Sequence, residues 1–217
     1  MEEKLVPQID LILALSESLD LISPAIVGHH MRVAFLTLNM ALMLNLKKED
    51  IKDLTYAALL HDVGALSLKE RLDCLEFDLK EPHFHSIVGQ RLIRMHKPFD
   101  RVSNIIRCHH VSWNNISEYD KRKIEVPFSS QILHLADRID VLIDGNKNVN
   151  NQIEYIIKQI KDERGKKFCP EVVDAFIESS RSKDTWQGLG SNNMSALFYN
   201  LLSDERLNID ELLDISK

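Results

Sequence analysis

Apolar residues recur along this chain at helical rather than strand spacing. In residues 5–22, Ile9, Ile12, Leu13, Leu19 and Ile22 share one face of a helix that Ser23 and Pro24 interrupt. Residues 27–46 form a second periodic segment rich in Leu, Met and Ala. A third begins near Asp50 and carries Tyr56, Ala57, Leu59 and Leu60 up to His61 at its C-terminal end. Apolar stretches at 66–75, 86–95 and 102–108 predict short helices, separated by the turn-like pairs Glu81-Pro82 and Lys97-Pro98. Over 111–127 the periodicity dissolves into polar residues around Trp113 and Tyr119, which reads as a polar loop able to cover a site. Helical spacing resumes over 128–143 and 149–160, stopping before Arg164-Gly165, and Pro170 is placed to open another helix. Beyond Trp186 two further patterns follow, at 194–202 and 209–215.

The expected fold class is therefore all-α, a helical bundle with extra C-terminal helices. Composition agrees: only seven glycines, and 6% aromatic residues within 44% hydrophobic, favour helices over a sheet-rich sandwich. A length of 217 residues suits one large domain. The expected division is an N-terminal helix packed on the core (1–24), a main domain (25–183) and a C-terminal helical extension (184–217). A net charge of −6 with dispersed Lys and Arg gives no basic stripe, which argues against duplex nucleic acid. Cys74, Cys108 and Cys169 lack CxxC spacing and are odd in number, as expected in a reducing cytoplasm. Neither a signal-peptide pattern nor a bilayer-length apolar run is seen, so a soluble, cytoplasmic protein without a membrane partner is expected.

The distribution of histidine changes this picture. All nine histidines fall between His29 and His134, in the order His29-x-x-Arg32, His61-Asp62, His85 and His109-His110, with Asp137 following. Five imidazoles and two carboxylates without a thiolate suit iron, manganese or zinc. His61 and Asp62 can both reach a metal where a helix ends, and Gly64 is expected to permit the turn there. Asp62 is placed to bridge two ions about 3.5–4 Å apart that share a hydroxide able to attack phosphorus. Asp62 and His61 are thus the expected catalytic pair. Each element alone is weak evidence, since a helix-borne histidine is usually structural; the ordered set is the signal.

These motifs resemble the HD superfamily of metal-dependent phosphohydrolases and, within it, the HD-GYP cyclic-di-GMP phosphodiesterases, over about residues 25 to 180. Leu59-Leu60-His61-Asp62-Val63-Gly64 resembles the central motif, and His85-Ser86-Ile87-Val88-Gly89 the H-x-x-x-G element. Residues 132–140 resemble the I-x-x-x-A-D-x-x-D element, and 165–173 the closing G-x-x-F-x-P segment. The resemblance implies a binuclear centre, with one ion on His29, His61, Asp62 and Asp137 and the other on Asp62, His85, His109 and His110. It implies two divalent ions, iron or manganese, with zinc, nickel or magnesium as alternatives. The sequence departs from the family at three places. Ala65 stands where a phosphate-contacting lysine is usual, Ala25 where some members carry a glutamate for a third metal, and 111–119 lack the Gly-Tyr-Pro tripeptide.

The expected activity is a cyclic-dinucleotide phosphodiesterase acting on cyclic di-GMP. The alternatives are a degenerate signalling or nucleotide-binding module and a hydrolase of another nucleotide phosphoester. Substrate-binding candidates are Arg32, His30 and Trp113. Arg32 is equally suited to an ion pair with Asp140; His30 lies on a different helical face from His29, as a surface residue or substrate contact; Trp113 could stack on a purine. His83, His96 and His134 are expected to be structural or solvated, and the tail beyond Trp186 to pack on the core or form a homodimer contact.

Overall fold

In a computed structural model, residues 5–77, 83–191, 193–204 and 206–208 are described. The twelve helices among them are α1 (Gln8–Asp20), α2 (His29–Met43), α3 (Lys48–Leu60), α4 (Leu68–Asp73), α5 (His83–Arg94), α6 (Asp100–Cys108), α7 (Ile116–Lys121), α8 (Phe128–Val141), α9 (Ile153–Asp162), α10 (Pro170–Ser179), α11 (Lys183–Gly188) and α12 (Met194–Leu202). One antiparallel ribbon of three residues per strand, β1 (Leu5–Pro7) with β2 (Arg206–Asn208), joins the two ends of the chain.

The centre of the bundle is α2, which packs against α1, α3, α8, α10, α11 and α12. Its sequence explains this position. Val33, Ala34, Leu36, Leu38, Met40 and Ala41 are all buried, so the helix is apolar around most of its circumference. Small residues at contact positions, Ala34 and Ala41 on α2 with Ala57 and Ala58 on α3, leave little side-chain bulk between neighbouring backbones. Leu54, Leu59, Ile132, Leu135 and Ile139 carry the same core through α3 and α8, and Val172, Val173 and Phe176 seat α10 on it. At the chain's start, α1 buries Ile9, Ile12 and Leu13. Residues 5–7, expected to begin that helix, are instead paired with 206–208, a partner far away in the chain that local periodicity does not register.

Two further expectations are corrected. Within 111–127, Trp113 to Asn115 form a 3-10 turn and α7 follows. Backbone bonds from Trp113 N–H to Lys167 O (2.9 Å) and Asn114 N–H to Lys166 O (3.0 Å) anchor the turn, and half-buried Ile116 and Tyr119 give α7 an apolar edge. Gly64 has no left-handed backbone; its role is close approach. A Cβ there would lie 2.0 Å from the His85 carbonyl oxygen and 2.3 Å from the Gly89 nitrogen. The turn after α3 is thus pressed onto the backbone of α5, which brings His61-Asp62 and His85 together. The expected boundary at 183/184 falls at the start of α11, and the pattern at 209–215 lies outside the described residues.

Gly64→Ala therefore forces backbone apart rather than a flexible side chain. It is expected to cost at least about 1–3 kcal/mol, whereas Gly145→Ala, with nothing within 4 Å of its Cβ, should be near neutral. Urea denaturation of both variants checks this, and equal midpoints would refute the close-approach role.

Candidate metal centre

Helix ends carry most of the candidate donors. His29 is the first residue of α2, placed there by Gly28, whose φ of 73° suits glycine. His61 and Asp62 leave the C-terminus of α3, His85 lies in the first turn of α5, and His109 and His110 follow α6. Asp137 comes from inside α8. All seven are buried.

The structure brings these seven side chains into two adjoining groups. Donor atoms of Asp62, His85, His109 and His110 lie within 4.8 Å of one another, as do those of His29, His61 and Asp137. Asp62 faces both groups. Its Oδ2 is 3.6 Å from His61 Nε2, while its Oδ1 is 3.3 Å from His85 Nε2 and 3.8 Å from His109 Nε2. His29 Nε2 stands 3.2 Å from His61 Nε2, and His85 Nε2 stands 2.9 Å from His110 Nε2. Asp137 turns Oδ1 toward His29 (3.7 Å) and His61 (3.9 Å).

The backs of the rings are fixed by hydrogen bonds. His61 Nδ1–H donates to Ala58 O at 2.8 Å, and His109 Nδ1–H to Ile106 O at 2.6 Å, so their Nε2 lone pairs point into the cluster. His29 Nδ1–H donates to Asp140 Oδ2 at 2.8 Å. Arg32 grips the same carboxylate through Nε (2.6 Å) and Nη2 (3.0 Å). Of the two roles weighed for Arg32, the ion pair is the one present.

Burial and charge set the protonation states. Burial alone would lower the pKa of His29, but the hydrogen bond and charge of Asp140, with Asp137 and Asp62, outweigh it and raise the value to about 9. At His61 burial prevails against Asp62, with His30 and His29 adding repulsion, and the pKa falls to about 3. Burial lowers His85 and His110 as well, and neighbouring imidazoles add to it. Burial would raise the carboxylates, yet His61, His109 and His85 hold Asp62 well below its usual range, and Arg138, His61 and His29 hold Asp137 below it.

The cluster fits a cation. Asp62 Oδ1, Asp137 Oδ1, His109 Nε2 and His110 Nδ1 are buried without a hydrogen-bond partner, an arrangement that would cost about 1–3 kcal/mol for each atom if nothing satisfied it. Mixed imidazole and carboxylate donors suit a divalent transition ion.

Sequence reading did not foresee three neighbours. Arg138 is fully buried, with Nη2 2.8 Å from both Asp137 Oδ2 and Cys74 O, and it also binds Glu76 O. Cys74 Sγ lies 3.7 Å from His85 Nδ1, its thiol pKa pushed up by burial and by Asp62 and Asp137. Asp20 binds the ring of His30. His30 itself is 1% exposed, which corrects the expectation of a surface residue. His134 is buried against Phe168, and His96 packs on Phe99; the side chain of His83 lies outside the described residues. Trp113 is exposed at the start of its turn.

The family model for the HD domain matches residues 26–142, more than half of the chain. A cyclic di-GMP phosphodiesterase of Thermotoga maritima is 27% identical over 69% of this chain and 43% of its own length. A 3'3'-cGAMP-specific phosphodiesterase of Vibrio cholerae is 22% identical over 93% of this chain and 49% of its own. The chain thus spans about half the length of the curated relatives it matches. The crystal structure of a cyclic GMP-AMP specific phosphodiesterase of Vibrio cholerae superposes with a TM-score of 0.76 at 20% identity, over 97% of this chain and 58% of that one. At that identity it supports the fold alone.

The raised pKa of His29 has a measurable consequence. In the metal-free protein its bond to Asp140 contributes stability that is complete below the unfolded value of 6.5 and lost as the pH rises through about 9. A cation at Nε2 must displace the proton held there. Metal uptake near pH 8 is therefore expected to release about one proton, read by titration calorimetry in buffers of different ionisation enthalpy. Release that is unchanged in Asp140→Asn would refute the assignment to His29.

Proposed function

The chain belongs to the HD domain family, and from that premise we propose that it is a metal-dependent phosphodiesterase that opens a cyclic dinucleotide, with cyclic di-GMP as the leading substrate. The observation that carries this reading is the carboxylate of Asp62, which turns one oxygen to each of two buried donor groups. His29, His61, Asp62 and Asp137 would hold one divalent ion, and Asp62, His85, His109 and His110 the other. Iron and manganese are the leading ions for this role, and zinc also suits the donor set. When bound, the ions supply Lewis acidity that neutralises phosphoryl oxygens and activates water for attack on phosphorus.

This chain's residues supply orientation. Asp140 fixes the ring of His29, Arg32 fixes Asp140, and Arg138 fixes one oxygen of Asp137 while leaving the other turned to His29 and His61. Trp113 is our candidate for stacking on a substrate base. Residues 25–183 would form the catalytic unit, with 1–24 and 184–217 as supporting segments.

A binding-only module is favoured by one observation, the fully buried Ala65 in place of a cationic phosphate contact. Turnover separates the two readings. Protein purified without oxygen and loaded with iron(II) or manganese(II) is expected to yield linear dinucleotide from cyclic di-GMP, detected by chromatography. His109→Ala should lower that rate by at least about 100-fold, since loss of mere supporting partners already costs 10–100-fold. Product from cyclic GMP-AMP alone would move the substrate assignment. Ligand binding without product in metal-loaded protein would establish the module instead.

A further inference from the structure

We propose that His30, oriented by Asp20, is a metal donor of the His61 position, so that the first cation is held from two sides: by His29 and Asp137 on one, and by His30 and Asp62 on the other. The inference rests on the metal-centre reading above and extends its ligand set.

Three observations carry it. One ring nitrogen of His30 lies within 4.8 Å of donor atoms of both His61 and Asp62, and all three residues are buried. Asp20, 3% exposed, accepts a hydrogen bond from His30 Nδ1–H, which leaves Nε2 as the nitrogen available to a cation. That Nε2 is buried with no hydrogen-bond partner among the described residues. A carboxylate on one ring nitrogen and an unmet lone pair on the other is the arrangement that metal-bound imidazoles show. Asp140 makes the same arrangement at His29, so two adjacent residues at the start of α2 each have a buried carboxylate behind the ring.

Why one cation rather than an additional one follows from His61. Its Nδ1–H is committed to Ala58 O, so the ring offers a single lone pair at Nε2. The set His29, His61, Asp137 and the set His30, His61, Asp62 both need that lone pair. One lone pair serves one ion, so a cation at His61 draws on either set, and binding both requires the side chains to close on it, because the two sets together are not all within 4.8 Å of one another. The ring of His30 sits 4.9 Å centroid to centroid from that of His61, close to the 5.1 Å between His29 and His61, so both rings flank that of His61. A further consequence concerns reactivity. An ion with this larger protein shell keeps fewer positions for substrate or water than its neighbour at His85, His109 and His110, which makes the two positions chemically unequal.

The test uses the full chain loaded with cobalt(II), read by proton NMR. Imidazole N–H protons on cobalt-bound rings give exchangeable resonances with large through-bond shifts, whereas a ring that only lies nearby receives the much smaller through-space shift. The His30→Gln variant is expected to lose one such resonance while retaining those of the other liganding rings. Asp20→Asn, which keeps the ring, should shift that same resonance and weaken cobalt retention against a chelator by roughly 10- to 100-fold. Circular dichroism of each variant checks folding, and if His30→Gln fails to fold, Asp20→Asn carries the test alone. Full cobalt uptake with every shifted resonance retained in His30→Gln, or an unmoved resonance and unchanged retention in Asp20→Asn, would overturn the role of His30 and leave the metal centre standing. Absence of cobalt uptake by the unaltered protein would overturn both.

Discussion

Asp62, Asp137 and Asp140 lie buried in one helical core, and the cost of keeping three carboxylates out of water governs the arrangement around them. An isolated buried carboxylate would take up a proton; each of these is instead held below its usual pKa by cationic or hydrogen-bonding neighbours. Asp140 is compensated by His29 and Arg32 and Asp137 by Arg138 and His29, whereas Asp62 faces His61 and His85, whose own pKa values are lowered by burial. The compensation is complete for Asp140 and incomplete for the other two, which each keep one oxygen unpartnered. That gradient separates a supporting carboxylate from donors poised for a cation.

Concentrating so much charge is feasible because the donors arrive on different elements whose backbones are already satisfied. Helices α2, α3, α5, α6 and α8 satisfy their interior backbone groups within each helix, and the last-turn carbonyl groups of Ala58 on α3 and Ile106 on α6 accept from the rings of His61 and His109. Their ends deliver most of the donors, and α8 delivers Asp137, Arg138 and Asp140 from its C-terminal half. The contact of Gly64 with the α5 backbone is the clearest example of packing serving the site: it sets the distance between His61-Asp62 and His85 before any ion is considered.

Much of this was legible in the sequence because the relevant information is local. Each donor sits in a short motif, and the order His29, His61-Asp62, His85, His109-His110, Asp137 survives translation into a cluster. The major helices were legible for the same reason, their apolar period running over ten or more residues. What was missed depends on contacts between distant residues. Arg138 reaches the carbonyl oxygens of Cys74 and Glu76, Asp20 reaches His30 across the break between α1 and α2, and 5–7 pair with 206–208. A three-residue strand carries too little periodicity to be read at all. Gly64 illustrates a subtler limit. A glycine that frees the backbone and a glycine that admits another backbone look identical in sequence, and only the neighbour tells them apart.

The same bookkeeping of charge bears on how an anionic substrate would be recognised. Two arginines beside the centre are committed, Arg32 to Asp140 and to Val27 O, and Arg138 to Asp137 and two backbone carbonyl groups, whereas Arg71 on α4 is buried with Nε and Nη1 lacking a hydrogen-bond partner among the described residues. Ala65 offers no charge, and the chain as a whole is negative. Positive charge at the point of phosphate contact would then come from the bound ions rather than from Arg32 or Arg138, so affinity for a phosphodiester and occupancy by metal would be linked. In such a centre Arg32 and Arg138 would act on substrate through the carboxylates they hold rather than by direct contact.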